Sequence, residues 1–561
     1  MNKKRVKVIK FLVIAVFLAV LIKLFYVQII QREKFIKLLE KQYYTTEKVI
    51  YPRGTIYDSK GNILAISVPT ITIYAIPKYI KNKRRLAKEL SSVIKQSQQV
   101  ILNKLNQNKK YTVIASDLDK SLKEKLEEIR FKTKEWNFGI LETSKRVYPF
   151  KKIGANNIGF VNKYTGEGKE GIEYKYNDIL GGGFGKILLM KDARGYPITV
   201  VSEKKKEKKD IVLTIDSNIQ FMAEEALKKL VKERKPKEAV VLIMDPKTGE
   251  ILANAVYPSY DPNRYWKYRI FSNPTFRGAY EVGSITKPFI MARALSKGLV
   301  KKNELIYGGN GKVVVDGITI RDHSKFKYLT PEEVIIHSSN VGIIRVALRF
   351  KPKDFFSLLE SLGFGQSTHT FPGESSGLLK ESLRPIDIAY ASIGQSWTAT
   401  PIQVARAYAA IANGGYLVKP HFLREIKNAD RTETVSYSYD TSKKVLSDKE
   451  IKWLKHVLKL VVEKGTARKG KSKFYTIAGK TGTAEKYDPK LKALSKSKFY
   501  TWFAGFFPVE NPKYVIVVFA NEPKKIRKWE IIGGGSVSST VLKELIDRLM
   551  FYSKVKPDKS K

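Results

Sequence analysis

The first thirty residues combine a charged start with a long apolar run. Five of the first ten residues are Lys or Arg, and the apolar segments FLVIAVFLAVLI and LFYVQII lie on either side of Lys23. A run of about 20 apolar residues matches the hydrocarbon thickness of a bilayer, and a lysine within it can extend its ammonium group to the headgroups. The pattern therefore predicts a basic tail over residues 1–10 and a transmembrane helix over residues 11–30.

A cleaved signal peptide is the competing interpretation, because it also places basic residues before an apolar stretch. No convincing small-x-small cleavage site follows the run, so the segment is interpreted as an uncleaved anchor. Basic residues before a span place the N-terminus in the cytoplasm and the rest of the chain outside. The later run YVIVVFA is interpreted as a buried strand. We therefore expect a single-pass protein of the cytoplasmic (inner) membrane whose remaining chain is extracytoplasmic (periplasmic).

Between residues 31 and 209 the pattern indicates a β-rich domain. The pieces ILAISV and ITIYAI are typical of strands, and a charged stretch near residues 118–129 is typical of a helix. The segment ends in SEKKKEKKD, whose composition predicts a solvated linker. We assign residues 31–209 to one domain on this basis.

From residue 210 the pattern changes to short apolar strands such as IVLTID and AVVLIMD. The turn sequence PKTGE leads from the second of these into ILANAVY, which predicts a hairpin. Helical periodicity then runs to about residue 413, and strand patterns return in FYTIAGKTGTA, FYTWFAGFFP and YVIVVFAN before a final helix. This order predicts an α+β fold with an antiparallel sheet and helices over residues 210–553, followed by a basic tail over residues 554–561.

Composition narrows the possible partners. Lys and Arg number 103 against 54 Asp and Glu, which gives a formal net charge of +49. The positive residues are spread along the chain and no zinc-finger, RNP or basic-zipper pattern occurs, so we expect no nucleic-acid binding. A basic surface that faces anionic lipid or cell-wall polymer explains the charge instead. The absence of cysteine excludes disulfides, thiol catalysis and cysteine-ligated metals.

The stretch YEVGSITKPF contains Ser284 and Lys287 three residues apart. The same spacing occurs in Ser202/Lys205, Ser324/Lys327 and Ser495/Lys498, so the pair alone indicates nothing. This pair differs because a glycine precedes it, a proline follows it, and two further segments stand behind it. They are Ser338-Ser339-Asn340 in IIHSSNVGI and Lys480-Thr481-Gly482-Thr483 in IAGKTGTAE. Joint chance occurrence of the three elements is low, so we interpret them as one catalytic set.

The local chemistry of the first element favours catalysis by Ser284. Pro288 is tolerated only near the start of a helix, so Ser284 is expected at or just before the first turn. Lys287 then projects from the same face, within reach of the serine oxygen. Burial, the positive end of the helix and the cation of Lys480 would each favour a neutral Lys287. A desolvated lysine of this kind can activate a serine nucleophile.

The second element is expected to move a proton and to bind substrate. Ser338 can relay a proton between Lys287 and the leaving amine, and Asn340 can hold the amide of a peptide substrate. Ser339 and His337 are expected to have structural roles.

The third element is expected to lie along an edge strand. The donors of Lys480, Thr481 and Thr483 suit a terminal carboxylate, and Gly482 would let the substrate backbone approach closely. The backbone N–H groups of Ser284 and Thr483 are the predicted oxyanion hole.

These motifs and the sequences around them resemble the class B penicillin-binding proteins over nearly the whole chain. The set Ser-x-x-Lys, Ser-x-Asn and Lys-Thr-Gly is that of penicillin-binding proteins and class A β-lactamases. RGTIYDSKGNILAIS resembles the signature of the family's non-catalytic pedestal, and GQSWTATPIQVARAYAAIANGG resembles its transpeptidase domain. No glycosyltransferase module precedes them, which fits class B. Val282 stands where the family usually has proline, but it touches no reacting group.

The resemblance implies a penicillin-binding/serine β-lactamase-like fold on an elongated β-rich pedestal of the dimerisation type. It also implies that Ser284 attacks the D-Ala-D-Ala bond of a peptidoglycan stem peptide, releases the last D-alanine and passes the acyl group to an amine of a neighbouring stem. β-Lactams would acylate the same serine, and no metal or organic cofactor is implied. A polytopic peptidoglycan glycosyltransferase and other division proteins are the expected protein partners.

The role in the cell leaves alternatives open. SSNVGIIRVAL, LGFGQST and FPGESSG resemble the division branch of class B, which we prefer, whereas IGQSWTATP is similar to the elongation branch. A β-lactam hydrolase or carboxypeptidase of the same fold ranks lower, because of the anchor and the pedestal and because no deacylating glutamate is identified. A non-catalytic penicillin-binding sensor or division scaffold ranks lower because the motif set is complete.

Overall fold

The chain begins with a long apolar helix. The structure is a computed structural model and describes residues 3–109, 112–181, 184–191, 197–203, 208–428, 434–436, 443–488 and 493–559. Helix α1 (Lys3–Phe25) continues into a wider π-type turn at Tyr26–Ile30, and α2 (Arg32–Tyr43) follows. The segment Lys3–Ile30 has a mean hydropathy of 2.8 in its most apolar stretch, none of which is buried. By length and composition it is a candidate membrane span, and it contains the predicted residues 11–30.

The next region consists mainly of strands. They are β1 (Tyr44–Ile50), β2 (Ile56–Tyr57), β3 (Ile63–Ala75), β4 (Thr112–Asp119), β5 (Phe138–Val147), β6 (Phe184–Lys191) and β7 (Pro197–Glu203). The helices are α3 (Lys83–Ile94), α4 (Gln98–Leu105), α5 (Lys123–Thr133), α6 (Ala155–Ile158) and α7 (Gly171–Lys175). Strand β3 pairs antiparallel with β4 and β5. The helix predicted near residues 118–129 begins only at Lys123, because β4 extends to Asp119.

The rest of the chain contains an antiparallel central sheet, further strands that lie in other sheets, and helices. Its strands are β8 (Lys209–Leu213), β9 (Glu238–Met244), β10 (Ile251–Tyr257), β11 (Ile306–Tyr307), β12 (Lys312–Val315), β13 (Ile318–Arg321), β14 (Tyr328–Leu329), β15 (Leu423–Asn428), β16 (Thr434–Ser436), β17 (Ala478–Asp488), β18 (Ala493–Phe507) and β19 (Tyr514–Asn521). Its helices are α8 (Ser217–Arg234), α9 (Pro274–Arg277), α10 (Lys287–Ser296), α11 (Pro331–Ile336), α12 (Asn340–Ala347), α13 (Pro352–Ser361), α14 (Pro385–Ser392), α15 (Pro401–Ala412), α16 (Asp448–Glu463) and α17 (Leu542–Tyr552).

The central sheet has the strand order β10-β9-β19-β18-β17, and every pair in it is antiparallel. Strand β17, which carries the Lys-Thr-Gly-Thr segment, therefore lies at an edge. Helices α8 and α15 pack on the sheet, and the α+β prediction is confirmed together with the β9–β10 hairpin and the final helix.

The predicted linker SEKKKEKKD is wrong at both ends. Glu203 is the last residue of β7, and β8 begins at Lys209; residues 204–207 lie outside the described part. Within β8 the buried carboxylate of Asp210 accepts a 2.7 Å hydrogen bond from the backbone N–H of Thr55. Strand β8 pairs in parallel with β2 and antiparallel with β15. The sequence did not predict the start of β8, because this start is rich in lysine and the strands that pair with β8 are distant in the sequence.

A buried cluster of charged side chains lies close to the sheet that contains β2, β8 and β15. The two carboxylate oxygens of Glu173 accept hydrogen bonds from Arg53 Nε at 2.9 Å and Arg146 Nε at 2.7 Å. The hydroxyl of Tyr148 also donates to Glu173, at 3.2 Å, and Arg53 Nη1 donates to the carbonyl of Gly166 at 3.0 Å. Burying a charge is costly unless it is paired. The arginine of RGTIYDSKGNILAIS is therefore a structural partner of Glu173.

Candidate active site

Ser284 lies in a short 3₁₀ turn, Gly283–Ile285, directly before α10. The φ of Gly283 is +58°, a value that glycine adopts without strain. A Cβ at Gly283 would lie 2.4 Å from the carbonyl oxygen of Thr483, and the N–H of Gly283 donates to the carbonyl of Gly394 at 3.0 Å. The glycine thus lets the turn lie directly against β17, while Ser284 remains partly exposed.

Gly482 is required by the protein's own backbone. A Cβ there would lie 2.5 Å from the carbonyl oxygen of Val282 and 2.7 Å from Cγ1 of Ile285. The space expected for a substrate backbone on that side of β17 is therefore filled by the turn that carries Ser284. This partner could not be inferred from the Lys-Thr-Gly-Thr segment, because it lies far away in the sequence.

The Ser-Ser-Asn segment forms a sharp junction between α11 and α12. Ser338 adopts a φ of +60°, which places it in the left-handed region. Ser339 caps α12, because its hydroxyl accepts a 2.9 Å hydrogen bond from the N–H of Gly342. The ring of His337 packs against Phe326 with centroids 5.1 Å apart. These contacts fit the structural roles expected for Ser339 and His337.

Two buried lysines meet at Ser338. The ammonium nitrogen of Lys287 donates to the carbonyl of Ser338 at 2.8 Å and to Oδ1 of Asn340 at 2.6 Å. The ammonium nitrogen of Lys480 donates to the hydroxyl of Ser338 at 2.9 Å and to the carbonyl of Thr481 at 3.0 Å. Both lysine side chains are fully buried. The structure therefore brings together the residues predicted from all three elements of the set.

Lys287 and Ser284 are not joined by a hydrogen bond in the described part of the chain; Lys287 contacts the Ser-Ser-Asn segment instead. Catalytic hydrogen bonds often tighten only when substrate is bound. Neutral Lys287 uses its two N–H groups in these bonds and keeps a lone pair, so a direct proton transfer requires the Ser284 hydroxyl to approach that lone pair.

Burial lowers the pKa of both lysines. It lowers the pKa of Lys287 to about 7, against the opposing effect of the Asp322 carboxylate. Burial also lowers the pKa of Lys480 well below its usual value, and the nearby charge of Lys287 lowers it further. The direction agrees with the expectation that Lys287 is available as a neutral base near pH 7.

Asp322 belongs to the site although none of the three motif elements contains it. Its Oδ2 accepts a 2.6 Å hydrogen bond from the hydroxyl of Ser339. Its Oδ1 accepts hydrogen bonds from the backbone N–H groups of Asn340 and, at 3.1 Å, Val341. A carboxylate at a helix N-terminus is favourable, and this one fixes the start of α12. No motif marks Asp322, because it follows β13 and reaches α12 only through the fold.

The threonines of β17 have partners that the sequence did not indicate. The hydroxyls of Thr481 and Thr466 are 2.6 Å apart, and Gly534 N–H donates to the hydroxyl of Thr483 at 3.1 Å. Thr481 is buried and Thr483 is partly exposed. Thr466 and Gly534 therefore hold the hydroxyls expected to meet a terminal carboxylate.

The arrangement is suited to acyl transfer. A partly exposed serine lies in the turn before α10, beside an edge strand and a pair of buried lysines that both bond to a second serine. Such a set can remove a proton from a nucleophile and return it to a leaving amine.

Two family models match the chain. The model described as the penicillin binding protein transpeptidase domain matches residues 239–547, and the penicillin-binding protein dimerisation domain matches residues 48–213. The chain is 30% identical to the peptidoglycan D,D-transpeptidase FtsI of Buchnera aphidicola subsp. Baizongia pistaciae, over 99% of this chain and 96% of the relative. It is 31% identical to the probable peptidoglycan D,D-transpeptidase PenA of Neisseria meningitidis, over 85% and 81%.

Other relatives and solved structures agree with this similarity. Stage V sporulation protein D of Bacillus subtilis is 28% identical over 100% of this chain and 87% of the relative. Penicillin binding protein 2X from Streptococcus thermophilus superposes with a TM-score of 0.78 at 24% identity, covering 91% of this chain and 81% of that one. Penicillin binding protein 3 from Mycobacterium tuberculosis, in complex with aztreonam, gives a TM-score of 0.70 at 22% identity, over 91% and 98%. The structural matches support the fold.

Proposed function

The chain belongs to the class B penicillin-binding proteins and is a serine-type D-Ala-D-Ala transpeptidase, and we propose that it cross-links peptidoglycan stem peptides at the division septum from a membrane anchor. Members of this family bind stem peptides and β-lactams. The observation that carries the proposal is the hydrogen-bonded cluster of Lys287, Ser338 and Lys480 beside the turn of Ser284.

In the proposed acylation step, neutral Lys287 takes the proton of the Ser284 hydroxyl. The oxygen then attacks the carbonyl carbon of the penultimate D-alanine, and the backbone N–H groups of Ser284 and Thr483 stabilise the oxyanion. The C–N bond breaks, and the departing amine of the last D-alanine receives a proton through Ser338. Lys287 has then returned the proton that it took.

In the proposed transfer step, an amine of a neighbouring stem attacks the ester on Ser284. The new amide bond forms as the ester C–O bond breaks. The proton lost by the amine passes through Ser338 and Lys287 to the Ser284 oxygen, which restores the hydroxyl. Asn340 and the Thr481 and Thr483 hydroxyls would hold the amide and the terminal carboxylate of the donor stem.

The septal role rests on the FtsI names of the matched relatives and on sequence resemblance, and the Lys3–Ile30 helix supports the anchor. Its basic start favours a cytoplasmic N-terminus and a periplasmic catalytic domain in the inner membrane. We further propose the partners expected from the sequence, a polytopic glycosyltransferase and other division proteins. The elongation branch is the alternative within the class, and a non-catalytic sensor or scaffold is the alternative outside it.

The test is labelling by a fluorescent penicillin in cells that carry the wild-type chain, Ser284→Ala or Ser324→Ala. Ser324 belongs to the Ser324/Lys327 pair, which has the same spacing, is exposed, and serves as the matched control. We expect Ser284→Ala to lose labelling and cross-linking and Ser324→Ala to retain both. Retention of both by Ser284→Ala would favour the scaffold, and label along the side wall instead of the septum would favour elongation. Rapid release of the bound penicillin would favour a hydrolase.

A further inference from the structure

A cavity of about 270 Å³ opens beside α15, and none of the residues assigned above to the catalytic set lines it. Arg406 of α15, Lys419 and Lys443 bring three cationic side chains to its wall, together with Ser367 and His369 of a neighbouring loop. We call this site the Arg406 cavity.

Arg406 lies in the wall with one of its three guanidinium nitrogens hydrogen-bonded. Its Nε donates a 2.8 Å hydrogen bond to the carbonyl of Val418. A Cβ at Gly363 would lie 2.9 Å from Arg406 Nη1, and this glycine, at a φ of +88°, leaves room for the group. Within the described residues the two terminal nitrogens make neither a hydrogen bond nor an ion pair. Burial lowers the pKa of Arg406, and its partly buried charge has no carboxylate of the described residues in hydrogen-bond contact.

The loop of the cavity is tied down by another cation. Lys175 of α7 donates hydrogen bonds to the carbonyls of His369 at 2.9 Å and Thr370 at 2.6 Å. Burial lowers the pKa of Lys175 to about 8; the Glu374 carboxylate opposes this and the charge of Lys419 adds to it. Positive charge is therefore crowded around the loop.

The nearby carboxylate is already engaged. The charge of Glu374 opposes the lowering of the pKa of Arg406 and of Lys175. Its oxygens, however, accept hydrogen bonds from the backbone N–H groups of Thr368 at 2.6 Å and Thr370 at 2.9 Å. It shapes the loop and leaves the Arg406 nitrogens to another acceptor.

We propose that the Arg406 cavity binds a phosphate group of a ligand distinct from the stem peptide. Paired guanidinium N–H groups match tetrahedral phosphate oxygens, and lysines add point charges around them. The Ser367 hydroxyl can supply a further hydrogen bond. The phosphate can be a terminal monoester or the diester of a polyol-phosphate chain.

The test measures binding of inorganic phosphate and diethyl phosphate to the full chain in detergent, by calorimetry at low ionic strength. The site variants are Lys419→Gln/Lys443→Gln, and Arg406→Lys, which keeps the charge but removes the planar fork. The matched control is Lys524→Gln/Lys525→Gln, which removes two charges from an exposed loop. Acylation by penicillin is the check on folding, since none of these residues belongs to the catalytic set.

We expect saturable binding whose dissociation constant rises at least tenfold in each site variant and less than twofold in the control. Binding of inorganic phosphate alone assigns a monoester, and binding of both probes assigns a diester. Equal weakening in site variants and control would mean that only the general positive charge acts, and would overturn the proposal. Wild-type affinity in the site variants, or equally tight binding of acetate, would overturn it as well.

Discussion

The ammonium group of Lys480 donates a 2.9 Å hydrogen bond to the hydroxyl of Ser338. Because that donor occupies a lone pair of the hydroxyl, the Ser338 proton points away from the Lys480 nitrogen. The pair thus ties the predicted proton relay to the edge strand that carries the Lys-Thr-Gly-Thr segment.

Ser338→Ala removes this relay. We expect acylation by penicillin to slow by about 10²–10⁴-fold, the usual contribution of a positioned proton donor or acceptor. The adjacent Ser339→Ala is the matched control. It removes a helix cap, worth about 1 kcal/mol of stability, and should change the acylation rate far less. Stopped-flow labelling and thermal unfolding of both variants check the pair of expectations, and equal rate losses would contradict the relay.

The pH dependence of acylation should follow Lys287. The base must be neutral, and burial lowers its pKa to about 7, so the acylation rate should fall about tenfold for each pH unit below that value. The arginine of Lys287→Arg remains protonated at all accessible pH values. Its acylation rate should therefore be lower by about 10²–10⁴-fold and should no longer show this fall at acidic pH, the acid limb of the profile. Lys327→Ala, from the Ser324/Lys327 pair of the same spacing, is the control. A rate that stays flat from pH 5 to 8 in the wild type would exclude Lys287 as the titrating base.

Asp322 should act on the rate in two separable ways. Asp322→Asn keeps a side-chain oxygen near the N–H groups of Asn340 and Val341 but removes the charge that raises the pKa of Lys287. The acid limb of the rate profile should then move to lower pH. Asp322→Ala also removes the acceptors that fix α12, and misplacement of catalytic groups by 1 Å can lower the rate by about 10².

Acylation profiles of both Asp322 variants, with the exposed Asp354→Asn as control, test this division. A purely structural carboxylate would lower the rate without moving the limb in Asp322→Asn.

Gly482→Ala should lower the acylation rate by displacing the turn that carries Ser284. The added Cβ would lie 2.5 Å from the carbonyl of Val282, and because that atom belongs to backbone, the turn of Ser284 must shift. We expect at least a tenfold loss of acylation. Gly298→Ala is the control: it has open space around it and a φ of +71°, so it should cost stability without changing the rate of the folded enzyme.

This glycine illustrates what the sequence could and could not predict. The long apolar N-terminal helix, the α+β order and the three motif elements could be identified from the sequence, because each is a local pattern or an ordered set of motifs. Three features could not be predicted, because they depend on segments distant in the sequence. They are the close contacts of Gly482, the cap by Asp322 and the strand that begins at Lys209. The burial that lowers the pKa of Lys287 was predictable in direction, but its opposition by Asp322 was not.

Removing Glu173 should destabilise the fold without touching the catalytic chemistry. In Glu173→Ala the guanidinium groups of Arg53 and Arg146, which are 2% and 3% exposed, lose their common carboxylate. Breaking a buried ion pair by removing one partner costs about 3–5 kcal/mol. Glu142→Ala is the matched control, because it breaks exposed pairs with Lys120 and Lys123, and exposed pairs contribute less than about 1 kcal/mol. Denaturant unfolding of the two variants measures the difference. Equal losses of unfolding free energy in the two variants would mean that Glu173 is exposed to solvent in solution. A larger loss in Glu173→Ala, with normal penicillin acylation in the remaining folded fraction, would assign the arginine of RGTIYDSKGNILAIS to folding alone.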